Sequence, residues 1–184
     1  MGGGLPVIEI GSKGNFVIDL LPALEEEGLA FRFESQGIPV DEDGFDIEFE
    51  QPPTVRTDYV CIGGRLVLNG TLSCVIAGEC DRCLKPVPVP LEINLSETVF
   101  RGAPDDEDDE SYVFFGEKAA LDKIILDNIM LNMPQKILCK EDCKGLCPVC
   151  GIDLNENTCD CKIESDDNNP FSRLAGLFKD DEEV

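Results

Sequence analysis

Hydrophobic and polar positions alternate along several stretches between Phe45 and Phe100. Four of them are GFDIEFE, TVRTDYVCI, RLVLNGTLSCVIAGEC and VPVPLEINLSETVF, which are rich in Val, Ile, Thr and Phe. A two-residue period with this composition is typical of strands that bury one face. The pair Gly63 and Gly64 separates two of the stretches and predicts a hairpin turn. These residues therefore predict an antiparallel β-sheet or a small barrel.

The N-terminal residues add further strands and one short helix. LPVIEI (5–10) and LAFRFES (29–35) alternate and predict strands, whereas LPALEEE (21–27) predicts a short helix. The β region of the chain thus begins close to its first residues.

A second helix is predicted where the period changes, from Glu117 to Met133. Its apolar positions recur at helical spacing on one face: Leu121, Ile124, Ile125 and Ile129. Pro134 follows at the point where a helix would end. The predicted fold class is α+β: an antiparallel sheet or small barrel with a packed helix and a C-terminal cysteine-rich zinc knuckle.

Changes in composition divide the chain into five regions. They are a mainly β region (1–104), an acidic loop (105–116), the helix (117–134), a cysteine-rich knuckle (135–164) and a C-terminal docking segment with an acidic tail (165–184). The acidic loop opens with six consecutive acids, which stay solvated. In the last region NPFSRLAGLF has apolar residues at helical spacing, and it either docks on the protein's own sheet or is offered to a partner.

The charge balance restricts the class of partner. Thirty-eight acidic side chains against fifteen basic ones give a net charge of −23 at pH 7. Most of such a surface repels nucleic-acid phosphates and favours a basic partner, such as a ribosomal protein. The sequence shows neither a signal peptide nor an apolar run of membrane-spanning length. We therefore expect a cytoplasmic protein without membrane contact, in which clustered cysteines stay reduced and bind metal.

Eight of the ten cysteines form four close pairs, and their spacing predicts metal binding. Zinc in structural sites is held by four ligands in a tetrahedron, and thiolates can supply all four. The turn CPVCG has a stiffening Pro148 and a permissive Gly151 beside its two cysteines. We predict two structural zinc ions in two groups: Cys147, Cys150, Cys159 and Cys161, and Cys80, Cys83, Cys139 and Cys143.

Other interpretations of the cysteines stay open at this point. Cys143 could join the knuckle, the two C-x2-C pairs could share one ion, and four thiolates could hold a single iron. A thioredoxin-like redox motif is disfavoured, because three prolines follow CDRC at once and oppose the helix that such a motif opens. Cys61 and Cys74 lie in apolar strands and are predicted to be buried small hydrophobes.

The absence of histidine argues against an enzyme. It excludes Ser–His and Cys–His dyads, and a metal held by four cysteines has no open coordination position. We expect no catalytic residue and no small-molecule substrate. Basic residues near the cysteines either offset thiolate charge or contact RNA or a protein partner: Arg82, Lys85, Lys136, Lys140, Lys144 and Lys162.

Four motifs together resemble the YceD family of bacterial and plastid proteins. They are CDRCLKPV, LDNIMLNMP, CKGLCPVCGIDLN followed by CDC, and NPFSRLAGL, and they extend the resemblance from about residue 15 to residue 178. The resemblance implies a non-enzymatic factor in large ribosomal subunit biogenesis that supports accumulation of large-subunit ribosomal RNA. Its implied partner is a precursor of the large subunit or a basic ribosomal protein.

The ten cysteines also support a different class of function. The chain could be a metal-responsive or zinc-storage protein without ribosomal contact, and a thiol oxidoreductase ranks below both of these hypotheses.

Overall fold

The structure, a computed structural model, describes residues 16–41, 44–102 and 111–161. Its elements in chain order are β1 (Val17–Asp19), α1 (Leu21–Glu25), β2 (Ala30–Gln36), β3 (Phe49–Ile62), β4 (Arg65–Glu79), β5 (Pro86–Arg101), β6 (Val113–Phe114), β7 (Lys118–Ala120) and α2 (Asp122–Asn132). The described residues belong to two units. The first comprises those of Met1–Cys80 and Lys85–Cys139, and the second those of Asp81–Leu84 and Lys140–Val184.

The first unit is built on a sheet with the strand order β2-β3-β4-β5-β6. Its pairs are antiparallel except for β5 and β6, which run parallel and pair at Phe100 and Val113. Within the described residues β2 and β6 stand at the edges, so this sheet is open. Strands β1 and β7 form a separate antiparallel pair.

The glycine pair makes the hairpin turn that the sequence predicts. Gly63 and Gly64 have φ angles of 57° and 75° and join β3 to β4, with Ile62 paired to Arg65. Two successive positive φ angles match the right-handed twist of the flanking strands, and glycine adopts them without steric cost.

The core of the first unit lies on one face of the five-stranded sheet. Alternate residues of each strand point into it, as in Leu66, Leu68 and Leu72 of β4, which are fully buried. Helix α2 packs against the core through Ile124, Ile125 and Ile129. Burying an aliphatic side chain of this size contributes about 1.5–3 kcal/mol. The apolar face predicted for this helix is therefore confirmed.

The fold class is mostly β and only in part the predicted α+β. The two helices of the described residues have 5 and 11 residues. The second helix begins at Asp122, whereas the period predicts a start at Glu117. Backbone bonds explain the difference: Leu20 N–H donates to Glu117 O (2.8 Å) and Leu121 N–H to Phe16 O (2.7 Å). Pairing with β1 thus overrides local helical preference.

Several sequence predictions meet a different local structure or lie outside the described residues. Of GFDIEFE only Phe49 and Glu50 join a strand. LAFRFES forms β2 as predicted, although the strand extends one residue further to Gln36, and LPALEEE contains α1 as predicted. LPVIEI, the six-acid run and NPFSRLAGLF lie outside the described residues. No helix in the described ranges is both long and apolar enough to cross a bilayer.

Prolines follow the alternation of β5 near its start. Pro86, Pro88 and Pro90 pair with Glu79, Ala77 and Val75 of β4. Alternate residues of a strand direct their backbone N–H and C=O groups to the same side. The three prolines can therefore point away from β4, while the backbone groups of Val87 and Val89 bond to it. Along this part of β5 no second described strand pairs with it. Prolines at such an edge have no N–H to offer and so discourage pairing with another chain.

Gly70 is required for the close approach of β3 and β4. A Cβ atom at this position would lie 2.1 Å from Arg56 O and 2.5 Å from Thr57 Cα. These are backbone atoms inside a paired strand, so they cannot move aside without disturbing the ladder.

We predict that Gly70→Ala lowers the free energy of unfolding by about 2 kcal/mol or more, because overpacking displaces the backbone of β3. Urea denaturation followed by circular dichroism measures this. Ser73→Ala, at an exposed position of the same strand, is the control and should change stability by less than about 0.5 kcal/mol. Equal stability of both variants would contradict the prediction.

Candidate metal centres

The first pair of cysteines lies at the turn between β4 and β5. Cys80 directly follows β4, and its N–H donates to Lys85 O at 2.8 Å, which closes the turn around Cys83. Leu84 has a φ angle of 57°, so the chain reverses through a left-handed residue immediately after the second cysteine. Both thiols of CDRC are thereby held on one short turn.

Four sulfur atoms converge there, in a group called the hairpin cluster: Cys80, Cys83, Cys139 and Cys143. Their Sγ atoms all lie within 4.8 Å of one another. Cys80, Cys83 and Cys143 are 0%, 5% and 2% exposed, whereas Cys139 is exposed. In a tetrahedral zinc site with Zn–S bonds near 2.3 Å, sulfurs stand about 3.8 Å apart. Sulfurs no more than 4.8 Å apart are close to this spacing, so the hairpin cluster could hold a metal ion.

The second unit holds Cys143 in place through the turn residues 81–84. The Arg82 guanidinium donates to Cys143 O at 2.6 Å, and Leu146 N–H donates to Arg82 O at 3.0 Å. Gly145 lies between these two contacts with a φ angle of 76°, and a Cβ atom there would lie 2.9 Å from Arg82 O. A close backbone approach thus requires glycine at this position.

The other four-cysteine group, called the knuckle cluster, lies wholly in the second unit: Cys147, Cys150, Cys159 and Cys161. Its Sγ atoms also lie within 4.8 Å of one another. Cys147 is 6% exposed, while Cys150 and Cys161 are exposed. Gly151 N–H donates to Cys147 O (2.9 Å) and Cys147 N–H to Ile152 O (2.8 Å), which forms the tight turn of CPVCG.

The knuckle thiols do not ionise equally. Backbone N–H groups of Cys150 and Val149 lower the pKa of the Cys147 thiol to about 6. A hydrogen bond with Cys150 raises the pKa of the Cys161 thiol to about 12. Thiols this close compete for the same donors, and each new thiolate disfavours the next. A cation among them would remove this competition, because it stabilises all four thiolates together.

Both clusters consist of thiols alone, which decides their chemistry. Four thiolates suit zinc or a single iron and leave no coordination position for water or substrate. The sulfur positions coincide with the two groups predicted from spacing and not with the alternatives in which Cys143 joins the knuckle or the two C-x2-C pairs share an ion.

Asn155 is a residue of the site that the spacing argument missed. Its Nδ2 donates to Cys143 Sγ at 3.4 Å and to Asp153 Oδ1 at 2.7 Å, and its Oδ1 accepts from Lys144 N–H at 3.0 Å. An amide that donates to a ligand thiolate is a common way to orient and stabilise that ligand. The segment DLN gives only a weak signal of this role, since Asp and Asn are frequent in any turn.

The predicted basic contact residues are partly engaged within the chain. Arg82 bonds Cys143 O, and Lys140 Nζ lies 4.0 Å from Asp142. Lys136 and Lys144 are exposed, and Lys162 lies outside the described residues. Lys85 is half-buried and accepts the Cys80 N–H at its carbonyl. The described part of the second unit contains three basic residues and six acidic ones. The acidic residues are Asp81, Glu141, Asp142, Asp153, Glu156 and Asp160.

Cys61 and Cys74 belong to neither cluster. They are 3% and 6% exposed within the core of the first unit, and burial raises the pKa of each thiol. The prediction that they are buried is confirmed.

Comparison with known proteins adds a family to this geometry. A family model described as "Large ribosomal RNA subunit accumulation protein YceD" matches residues 68–178, which include all eight clustered cysteines. No solved structure gave a significant match.

The curated relatives are bacterial and plant proteins. An uncharacterized protein of Mycobacterium tuberculosis (strain ATCC 25618 / H37Rv) is 36% identical over 104 residues, 54% of this chain and 49% of that protein. The Zea mays protein named "Large ribosomal RNA subunit accumulation protein YCED homolog 1, chloroplastic" is 29% identical over 160 residues, 70% of this chain and 54% of that protein. The Arabidopsis thaliana protein of the same name is 28% identical over 166 residues, which are 74% of this chain and 52% of that protein. The chain spans about half the length of the curated relatives it matches.

We predict that the Leu146 amide hydrogen exchanges about tenfold faster in Gly145→Ala than in Gly151→Ala. Both glycines have positive φ angles (76° and 72°), so each alanine is strained, by about 1–2 kcal/mol. Only the Cβ at 145 also meets the backbone of a distant residue, at Arg82 O, whereas the Cβ at 151 has no atom within 4 Å beyond its own residue and its two chain neighbours. Amide hydrogen exchange measures the difference, and equal rates in the two variants would refute it.

Proposed function

Because the chain belongs to the YceD family of large ribosomal RNA subunit accumulation proteins, we propose that it is a non-enzymatic factor in biogenesis of the large ribosomal subunit. In this role it supports accumulation of large-subunit ribosomal RNA. Two structural zinc ions stabilise it, one held by the hairpin cluster and one by the knuckle cluster.

The observation that carries the proposal is the convergence of four thiols at each of two points, within a segment that the family model matches. Cysteines of the hairpin cluster come from 80–83 and 139–143, which more than fifty residues separate in the sequence. A metal bound by both pairs closes this long loop, and loop closure by a bound ion favours the native state over the unfolded chain.

Charge supports a basic protein as the direct partner more than RNA. The chain carries a net charge of −23, and acids outnumber bases even beside the cysteines in the second unit. Contact between such a surface and phosphates is repulsive, whereas a cationic ribosomal protein or its basic extension is attracted. The chain would then reach a large-subunit precursor through a ribosomal protein.

Zinc storage without ribosomal contact is the second candidate, and the exposure of the knuckle cluster favours it. Cys150 and Cys161 are exposed, so a chelator or an acceptor protein could reach an ion held there. The burial of three of the four hairpin thiols opposes storage at that cluster. We rank this candidate second because the chain belongs to the YceD family.

We predict that the protein sediments with precursors of the large ribosomal subunit when cell lysate is fractionated on a sucrose gradient at low salt. Raising the salt concentration to about 1 M should release it, because the Debye length then falls to about 3 Å and attraction between surface charges is screened beyond that distance. Depletion should lower the ratio of large-subunit to small-subunit ribosomal RNA. Treatment with ribonuclease separates contact with protein from contact with RNA, and we expect the protein contact to survive.

The opposite result has a clear form. Sedimentation only as a small free protein, together with an unchanged ribosomal RNA ratio after depletion, would reject the ribosomal role and leave zinc storage.

We predict two zinc ions per purified chain, measured by elemental analysis against protein concentration. Cys83→Ser and Cys143→Ser should each lower the content to one ion, because both remove a ligand of the hairpin cluster. Cys74→Ala is the matched control and should retain two, since this thiol lies in the core away from both clusters. A loss in Cys143→Ser without a loss in Cys83→Ser would break the proposed grouping.

A further inference from the structure

Asn155 links the two clusters through hydrogen bonds that lie within the second unit. It belongs to the connector between Cys150 and Cys159 of the knuckle cluster, yet its side chain donates to Cys143 Sγ of the hairpin cluster. We propose that Asn155 couples the two metal sites, so that a metal in the knuckle cluster raises the affinity of the hairpin cluster for its own metal. This inference rests on the metal binding proposed above.

The orientation of the Asn155 amide is fixed by its neighbours. Lys144 N–H can only donate, so it requires Oδ1, and the Asp153 carboxylate accepts and requires Nδ2. The Asn155 backbone N–H donates to the same Asp153 Oδ1 at 2.8 Å. The remaining N–H of Nδ2 is thereby aimed at Cys143 Sγ and cannot be exchanged for the oxygen.

Cys143 is a ligand whose stability depends on such a donor. Its side chain is buried, so its thiolate has little contact with water. A buried charge needs hydrogen bonds or a cation, and a donor to the sulfur favours the ionised, metal-binding form. The Arg82 guanidinium donates to Cys143 O and places a positive charge near the same residue, while the Asn155 amide donates to its sulfur.

The connector that carries Asn155 runs between the two cysteine pairs of the knuckle cluster. Leu146 pairs with Asp153, and Leu154 N–H donates to Gly145 O at 2.9 Å, so one side of the connector is fixed by backbone bonds. On the other side it leads to Cys159 and Cys161. A metal that holds these cysteines to Cys147 and Cys150 closes the connector at both ends.

Ordering the connector in advance lowers the cost of placing Asn155 on Cys143. Without a knuckle metal the connector is held at one end only, so more of it must be ordered when the hairpin cluster loads, and that entropy opposes binding. When the knuckle cluster already holds a metal, this loss of entropy has occurred, so the second metal binds more tightly. This is positive cooperativity between the two sites. By linkage the hairpin metal must raise the knuckle affinity by the same factor.

The test measures the zinc affinity of the hairpin cluster in the full-length chain, by competition with a chelator of known affinity. Four proteins form the cycle: the natural chain, Asn155→Ala, Cys159→Ser with Cys161→Ser, and that pair combined with Asn155→Ala. We expect Asn155→Ala to weaken hairpin binding about 10–100-fold while the knuckle is intact, the usual effect of losing an outer-shell partner. With the knuckle removed, the same substitution should change affinity less than about threefold.

Two further variants separate coupling from a general loss of structure. Asn155→Asp has nearly the same size but replaces the donor with an acceptor, and it should reproduce the effect of Asn155→Ala. Asn157→Ala changes an exposed side chain of the same connector and should leave both affinities unchanged. In Cys80→Ser, where only the knuckle remains, Asn155→Ala should not alter knuckle affinity.

Three outcomes would overturn the inference. They are an equal effect of Asn155→Ala with and without the knuckle, no effect in either background, and a further loss of knuckle affinity when Asn155→Ala is added to the Cys80→Ser chain. A natural chain that binds fewer than two zinc ions would reject the proposed metal sites as well. Two ions bound independently would reject the coupling alone.

Discussion

The register of β4 against β5 is the constraint on which the hairpin cluster depends. The two strands pair continuously from Arg65 and Phe100 to Glu79 and Pro86. A slip of one residue would turn every buried side chain of one strand to the solvent face, so the core opposes it strongly. The turn that carries Cys80 and Cys83 follows directly from this ladder. The position of a candidate metal ligand is therefore set by aliphatic packing along the whole hairpin.

Sequence patterns were sufficient for the features that arise from local chemistry. The alternation in β4 and β5, the paired glycines and the apolar face of α2 each reflect a period or a φ preference contained in a few neighbouring residues. Spacing favoured two groups of four cysteines over other groupings, because a C-x2-C turn brings two sulfurs to one ion and two sets of four use all eight. The sulfur positions agree with those two groups.

Features that depend on distant partners were beyond such patterns. Lys118–Ala120 continue a helical period in the sequence but pair with β1, because the backbone groups of Phe16 and Leu20 find their partners there. Asn155 is ordinary in a turn until the fold brings Cys143 to its amide. Gly145 likewise gains its importance only from the carbonyl of Arg82, which lies more than sixty residues earlier.

Metal binding and acidity act on partner choice in the same direction. A zinc ion held by four thiolates has a net charge of about −2, so loading cysteines that were neutral thiols makes the chain more negative. The guanidinium of Arg82 is directed to the carbonyl of a ligand residue, and Lys140 lies near Asp142. Within residues 81–84 and 140–161, two of the three basic side chains thus have partners in the chain, which weakens this part of it as a phosphate-binding surface. A metal-loaded chain would therefore repel phosphates more strongly than the metal-free chain, which is consistent with the proposed preference for a basic protein over RNA.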